Sequence, residues 1–161
     1  MSKGKERMPK SSKKQSGAKG SGKSRKAAKS RAVGESLTTL AAAAKVAAGS
    51  AHAPYSDFHV GAAILDEHGG VHLGCNVENA SYGLTICAER NAVFQLVAAG
   101  SKVVRAVAIY TPTATPTPPC GACRQVLAEF ASADVPVLST CKGKGRLEST
   151  VGELMPHTFT L

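Results

Sequence analysis

The sequence predicts an α/β domain, built on a mixed five-stranded sheet with helices on both faces and preceded by a disordered basic tail. Two patterns carry the α/β prediction. Segments with the length and composition of buried strands alternate with segments of helical periodicity, and the first two strands are joined by a turn rather than a helix. An opening hairpin followed by alternating helices and strands is typical of a mixed sheet covered by helices on both faces.

The tail is distinguished by its charge. Residues 1–34 contain 12 Lys and Arg against one acid, Glu6, and so carry the basic excess of a chain whose net charge is +9. The segment is rich in Lys, Ser and Gly, and folding would bury too little apolar surface to offset the entropy of ordering. We expect disorder over 1–34 and one domain over 35–161. Clustered lysines bind phosphate backbones, so the tail is either a tether for nucleic acid or another acidic surface, or a solvated extension.

The first three elements of the domain follow from local patterns. From Ser36 onward, apolar residues recur at three- and four-residue steps, which indicates a helix whose alanine-rich face packs closely on a sheet. Strands are predicted near Val60–Leu65 and Val71–Asn76. The residues between them, 66–70 (DEHGG), suit a hairpin turn.

The second half of the domain alternates helix and strand. Its predicted elements are a helix from near Cys87 to about Ala99, a buried strand Val103–Tyr110, an irregular Pro- and Thr-rich segment Thr111–Pro119, a helix Gly121–Phe130, and strands Val135–Ser139 and Arg146–Ser149.

The cysteine content indicates a reducing compartment. Five cysteines occur in a chain without the apolar core of a secretory leader, and we expect a cytoplasmic protein. In that compartment clustered cysteines are more often metal ligands or catalytic groups than disulfide partners. No segment approaches the roughly 20 apolar residues of a membrane span, so no membrane association is expected.

Cys87, Cys120 and Cys123 form the candidate metal site. Each of the two cysteine segments lies where an irregular loop enters a predicted helix, and helix N-termini favour the thiolate form that binds metal. With Cys87 as a cap residue, Glu89 falls in the first turn and can lie beside the metal without being a ligand. Three thiolates leave the fourth position of zinc to water, which is the open, catalytic type of site. A carboxylate beside that water is the arrangement of zinc deaminases acting on nucleobases.

Alternatives remain for each of these residues. An isolated Cys-x-x-Cys pair is more often structural or redox-active than catalytic, and one of the five histidines could close a structural zinc site. Arg90 and Arg124 could hydrogen-bond the sulfurs and offset the net negative charge of three thiolates and zinc. Either arginine could equally form a surface ion pair.

Two segments carry a family resemblance, residues 74–90 (GCNVENASYGLTICAER) and residues 119–127 (PCGACRQVL). With these motifs the chain resembles cytidine deaminases, in particular the small three-cysteine form that assembles as a homotetramer. The likeness runs from about residue 36 to Leu161 and leaves the basic tail outside. It implies a three-layer α/β/α fold with one zinc ion per subunit. It also implies hydrolysis of cytidine and 2′-deoxycytidine to the uracil nucleosides and ammonia, as in pyrimidine salvage.

The resemblance also implies roles by position. Cys87, Cys120 and Cys123 match the zinc ligands and Glu89 the proton shuttle. The segment Asn76-Val77-Glu78 matches the residues that hold the ribose hydroxyls. The remaining matches are Phe58 to an aromatic that packs on the base, and Tyr82 and Phe159 to positions that reach the pocket of a neighbouring subunit. Pro118 departs from the family pattern, which commonly has Ser there.

Two other functions stay open. The chain could deaminate another aminopyrimidine, as blasticidin deaminases do, or a base within a nucleic acid, although it has only seven Phe and Tyr and no Trp for stacking on bases. It could also be a non-catalytic zinc module that binds nucleic acid through its tail. The intact Glu89 and the Asn76-Val77-Glu78 segment favour a nucleoside deaminase.

Overall fold

The structure, a computed structural model, describes residues 36–161, so the predicted disorder of residues 1–34 lies outside it. The elements in chain order are α1 (36–48), β1 (Gly61–Asp66), β2 (Val71–Cys75), a 3-10 turn (Tyr82–Leu84), α2 (Ala88–Ala98), β3 (Val104–Thr111), α3 (Gly121–Phe130), β4 (Pro136–Cys141), β5 (Arg146–Thr150) and α4 (Val151–Leu154).

The five strands form one mixed sheet in the order β2-β1-β3-β4-β5. β1 pairs antiparallel with β2 and with β3, β3 pairs parallel with β4, and β4 pairs antiparallel with β5. The predicted hairpin is confirmed: the Asp66 amide donates to Gly70 O at 2.9 Å, and Gly69 supplies the positive φ of 88° that the turn requires. The parallel β3–β4 pair is joined through α3, as a crossover connection must be.

Helices cover both faces of this sheet, which confirms the three-layer prediction. Successive strand residues face opposite sides, so Ala62 and Ile64 of β1 pack into a core with α2, whereas Ala63 packs against α1. Leu127 places α3 in the same core as α2. The smaller core under α1 contains Leu37, Leu40, Ala44, Ala63, Ala106, Ala108 and Leu138.

Two strand glycines set how closely the helices approach the sheet. A Cβ atom at Gly61 would lie 1.9 Å from Ala44 O of α1, and one at Gly74 would lie 2.2 Å from Ala88 O of α2. Both contacts are with helix backbone, so any side chain at these positions would push the helix away. Because α2 lies directly on β2 at Gly74, the strand fixes the position at which α2 begins.

The observed elements differ from the prediction in strand bounds and in one helix. β4 runs to Cys141, two residues beyond its predicted end at Ser139. The bounds of β1 and β3 are shifted by one residue toward the C-terminus relative to the predicted strands. α4 was not predicted, although its Thr150 and Glu153 form a reciprocal capping box. That threonine-x-x-glutamate spacing is a known helix-start signal. Within residues 36–161 no helix is long and apolar enough to span a bilayer.

Candidate active site

The three predicted metal ligands converge at the N-termini of two helices. Cys87 is the N-cap residue of α2 and Cys120 that of α3, as predicted. Cys123 lies in the first turn of α3, so its sulfur returns toward that of Cys120, 3.5 Å away. The Cys87 and Cys120 sulfurs are 3.8 Å apart, and all three lie within 4.8 Å of one another. Convergence therefore follows from placing both helix starts at the same end of the sheet.

The electrostatics of the cluster suit a metal ion. A hydrogen bond from the Cys123 thiol lowers the pKa of Cys87 to about 5, and the same bond together with burial raises the pKa of Cys123. The Cys123 thiol thus favours the thiolate form of Cys87, which is the form that binds a metal ion. Within residues 36–161, no histidine or carboxylate joins the three sulfurs as a fourth ligand. The donor set fits zinc with one open position.

Arg90 lies beside the cluster, as predicted, whereas Arg124 braces the loop before α3. The Arg90 Nη2 atom donates to Cys87 Sγ at 3.6 Å and to Thr85 O at 3.0 Å. A guanidinium in this position offsets the negative charge of the thiolates. Arg124 donates to Pro119 O at 2.8 Å and to Leu154 O at 3.1 Å. A bond from Arg124 to a cysteine sulfur stays a prediction.

Glu89 is a buried carboxyl in the first turn of α2, with 5% of its surface exposed. Burial raises its pKa above the ordinary value, and the negative charge of Cys87 acts in the same direction. A buried carboxyl with a raised pKa is typical of a residue that both accepts and donates protons during a reaction. Its position beside Cys87 therefore suits a proton shuttle better than a fourth ligand.

A cavity of about 220 Å³ opens onto the cysteine cluster. It brings together six predicted site residues: Phe58, Asn76, Glu78, Cys87, Glu89 and Cys120. Seven further residues line the cavity and were not predicted to do so: Val60, Thr85, Ala88, Ile109, Thr111, Thr117 and Pro118. The position of Phe58 on the wall, half-buried against the core, suits an aromatic that packs on a planar ligand.

Asn76 and Glu78 reach the cavity from the end of β2, and both already hold the loop before β1. The Asn76 side chain accepts from Val60 N and donates to Phe58 O, each at 2.8 Å. The Glu78 carboxylate accepts from Tyr55 N at 2.9 Å and from the Ser56 hydroxyl. These bonds lower the pKa of Glu78, the Ser56 hydroxyl having the largest effect. Hydrogen bonds to the backbone segment that carries Phe58 therefore fix the orientation of both the Asn76 and the Glu78 side chains.

Three of the predicted substrate-binding residues lie outside this cavity. The Val77 side chain is 44% exposed, and its backbone pairs with Ile86. Tyr82 is 79% exposed and contacts the ring of Tyr55 edge-on, with the ring centroids 6.3 Å apart. Phe159 is 68% exposed near the C-terminus. Val77 is thus a spacer between two lining residues, and neither aromatic ring lines the cavity of its own chain.

Comparison with known proteins identifies the family. A family model described as the cytidine and deoxycytidylate deaminase zinc-binding region matches residues 35–139, which contain all three cysteines and Glu89. The chain belongs to this family. It is therefore a zinc-dependent hydrolase of the cytidine deaminase type, which confirms the prediction of an enzyme with a zinc cofactor.

Curated relatives and solved structures agree with this assignment. A cytidine deaminase of Sporosarcina psychrophila is 47% identical over 122 residues, 75% of this chain and 89% of that protein. One from Halalkalibacterium halodurans is 52% identical over 111 residues, covering 68% and 83% of the two chains. The crystal structure of a cytidine deaminase from Burkholderia pseudomallei superposes with a TM-score of 0.73 at 45% identity, covering 76% of this chain and 98% of that one.

Proposed function

We propose that the protein hydrolyses cytidine and 2′-deoxycytidine to uridine and 2′-deoxyuridine with release of ammonia, a reaction of pyrimidine salvage. One observation carries the proposal: a single cavity joins the cysteine cluster and Glu89 to Asn76 and Glu78. The cysteine cluster and Glu89 provide the metal site and the proton shuttle for hydrolysis. Asn76 and Glu78 provide an amide and a carboxylate that can bind the hydroxyl groups of a sugar. Curated relatives named cytidine deaminase at 47–52% identity support it.

The residues have separable roles in this reaction. Cys87, Cys120 and Cys123 would hold the zinc ion, which would lower the pKa of water so that hydroxide is available near neutral pH. The Glu89 carboxylate takes the proton of the attacking water and delivers it to N3 of the cytosine ring as the C4–O bond forms. The Glu89 carboxylate then takes the proton of the new C4 hydroxyl and delivers it to the amino nitrogen as the C4–N bond breaks, so that the C4 carbonyl forms and ammonia leaves. Arg90 holds Cys87 as thiolate through its bond to the sulfur.

The ribose and the base are bound by residues on one side of the cavity. Asn76 and Glu78 would hold the ribose hydroxyls, since the carboxylate is already ionised and oriented by the loop at Tyr55 and Ser56. Phe58 would pack on the base, because its backbone carbonyl is fixed by the Asn76 amide. This arrangement distinguishes a nucleoside from a free base, which lacks the diol.

The experiment is a measurement of ammonia release from cytidine, 2′-deoxycytidine and cytosine by the zinc-loaded protein, with zinc content determined on the same sample. We expect turnover of both nucleosides and at least a hundredfold lower kcat/KM for cytosine, since loss of the sugar contacts removes about 3 kcal/mol. Full zinc occupancy without turnover of either nucleoside would contradict the proposal. Turnover of an unrelated aminopyrimidine alone would favour the blasticidin-type alternative.

The exposed aromatics support a homotetramer with shared active sites. Tyr82 and Phe159 have 79% and 68% of their surfaces exposed, and aromatic rings are enriched at protein–protein interfaces. A homotetramer in which these rings enter the cavities of neighbouring chains would bury both. Light scattering of the zinc-loaded protein tests this assembly, and a monomeric mass at micromolar concentration would contradict it.

The basic tail is proposed to bind nucleic acid outside the catalytic cavity. Ser36, where the described chain begins, lies with Leu65, Ala106 and Pro136 around a cleft at one end of the sheet. The catalytic cavity lies at the other end, beside Val60 and the end of β3. Deletion of residues 1–34 should abolish salt-sensitive DNA binding and leave cytidine turnover intact. DNA binding that survives the deletion would contradict this role.

A cytoplasmic location is likewise a proposal. It is supported by the cysteines at 75, 87, 120, 123 and 141, all of which are free thiols in the structure. Fractionation of cells expressing the native protein would test it, and recovery from an exported fraction would contradict it.

A further inference from the structure

One wall of the cavity is formed by the end of β3 and the threonine-rich loop after it. In the order of the strands, this wall lies beyond β1 and β2, the two strands on which α2 packs. α2, which carries Glu89, packs on β1 and β2. β3 and β4 follow β1 on the other side in the sheet order. Thr111, the last residue of β3, lines the cavity together with Thr117 and Pro118 of the loop that follows. Thr111 is 2% exposed, and its carbonyl accepts from Lys142 N at 3.1 Å. The β4–β5 turn therefore holds this wall in place.

The hydroxyl groups of this loop form a chain with a defined direction. Thr113 Oγ1 donates to Thr115 O at 2.6 Å, which uses its single proton. Thr111 and Thr113 Oγ1 are 2.7 Å apart, so the proton of that bond must come from Thr111. Thr111 then has none left for Thr117, whose Oγ1 lies 3.4 Å away, too far for a strong O–H···O bond.

Of these three threonines, Thr117 is therefore the one whose hydroxyl proton has no strong acceptor among the described residues. Thr117 lines the cavity, and it is followed in the sequence by Pro118 and, two residues later, by the metal ligand Cys120. Thr117 is half-buried on the cavity wall, so a ligand that fills the cavity must offer its hydroxyl an acceptor in place of water, because an unmade hydrogen bond at a desolvated site is costly.

The proposed reaction identifies the part of the substrate that meets this donor. With C4 at the cysteine cluster and the ribose at Asn76 and Glu78, the cytosine ring presents two edges to the walls. Glu89 must face the N3 edge in order to protonate it, and Glu89 belongs to α2. The opposite edge, at C5, is left to the wall of Thr117 and Pro118.

Resting on the proposed function, we propose that Thr117 is a specificity-determining residue whose hydroxyl donates to a hydrogen-bond-accepting group at C5 of the base. The substrate class it favours is cytosine nucleosides with a small oxygen substituent at C5, over those with an apolar group of equal size. The pair 5-hydroxycytidine and 5-methylcytidine isolates the effect, because the two substituents have the same number of non-hydrogen atoms.

The test is a substitution cycle that combines this substrate pair with the isosteric change Thr117→Val. For each enzyme the ratio of kcat/KM for 5-hydroxycytidine to that for 5-methylcytidine is measured. Intrinsic reactivity differences between the substrates cancel when the ratios of wild type and variant are compared. We expect Thr117→Val to lower the ratio about three- to tenfold, the range of one hydrogen bond, and Thr117→Ser to restore it.

Thr115→Val is the matched control, because it makes the same hydroxyl-to-methyl change in the same loop at an exposed residue outside the cavity lining. Its ratio should stay at the wild-type value. A Thr117→Val ratio within twofold of wild type, a failure of Thr117→Ser to restore it, or an equal fall in Thr115→Val would overturn the inference. If the wild-type enzyme does not turn over cytidine itself, the proposed function is contradicted, and this inference, which rests on it, is contradicted as well.

Discussion

Replacing Gly74 by Ala should displace α2 and, with it, the catalytic carboxyl. The added Cβ would lie 2.2 Å from Ala88 O and 2.4 Å from Ala92 N, both backbone atoms that cannot rotate away. Ordinary contact needs about 3.5 Å, so α2 must move by about 1 Å. Overpacking of this kind costs about 1–3 kcal/mol of stability. Because Cys87 and Glu89 flank Ala88, a shift of that size should lower kcat/KM about a hundredfold.

Gly61→Ala provides the matched comparison for this prediction. Its Cβ would lie 1.9 Å from Ala44 O and 2.5 Å from Ala48 N, so it meets the backbone of α1 as closely as Gly74→Ala meets α2. α1 contributes no residue to the cavity lining. Urea unfolding should reveal a similar loss of stability in both variants. Kinetics per zinc-loaded folded chain should show the large loss only in Gly74→Ala, and an equal loss in Gly61→Ala would refute the reasoning.

Three further predictions concern protons and the C-terminus. Zinc affinity should fall as pH is lowered, because Cys123, whose pKa is raised, must release its proton when the metal binds, and Cys87 also becomes protonated below a pKa of about 5; competition with a chromophoric chelator at several pH values measures this, and a pH-independent affinity would contradict it. His72 donates to Asp66 and lowers its pKa. That stabilisation is present above the unfolded pKa of about 3.9 and is lost as pH falls, so the Tm of Asp66→Asn should lie below wild type at pH 7 and converge with it in acid; a constant gap would count against the linkage. Phe159→Ala should keep its zinc but lose about tenfold in kcat/KM for cytidine if the ring completes a neighbouring site, whereas unchanged efficiency would argue against shared sites.

Features governed by local sequence were predictable. The residues 66–70 indicate a turn because glycine is needed there, and Gly69 has the expected positive φ. The two cysteine segments indicate helix starts, and Cys87 and Cys120 are indeed cap residues. The Cys120 and Cys123 sulfurs meet because of a short spacing within one helix turn, whereas Cys87, 33 residues away, joins them because α2 and α3 start at the same end of the sheet.

Features that depend on distant contacts were not predictable. The segment Thr111–Pro119 is irregular, and its shape is set by the β4–β5 turn, where Lys142 N donates to the loop and Gly143 packs against Ala114. No periodicity in the sequence marks Thr111 or Thr117 as cavity residues. The double role of Asn76, which fixes the loop before β1 as well as facing the cavity, likewise appears only when the two segments are brought together.

The most direct test of the account is Glu89→Gln, with zinc content and cytidine turnover measured on one preparation and Cys120→Ser in parallel. The account predicts one zinc per chain in Glu89→Gln, as in wild type, and a loss of turnover of about 10²–10⁴-fold, whereas Cys120→Ser should lose zinc and activity together. Zinc loss in Glu89→Gln comparable to that of Cys120→Ser, or turnover close to wild type with zinc retained, would contradict the assignment of Glu89 as the proton shuttle.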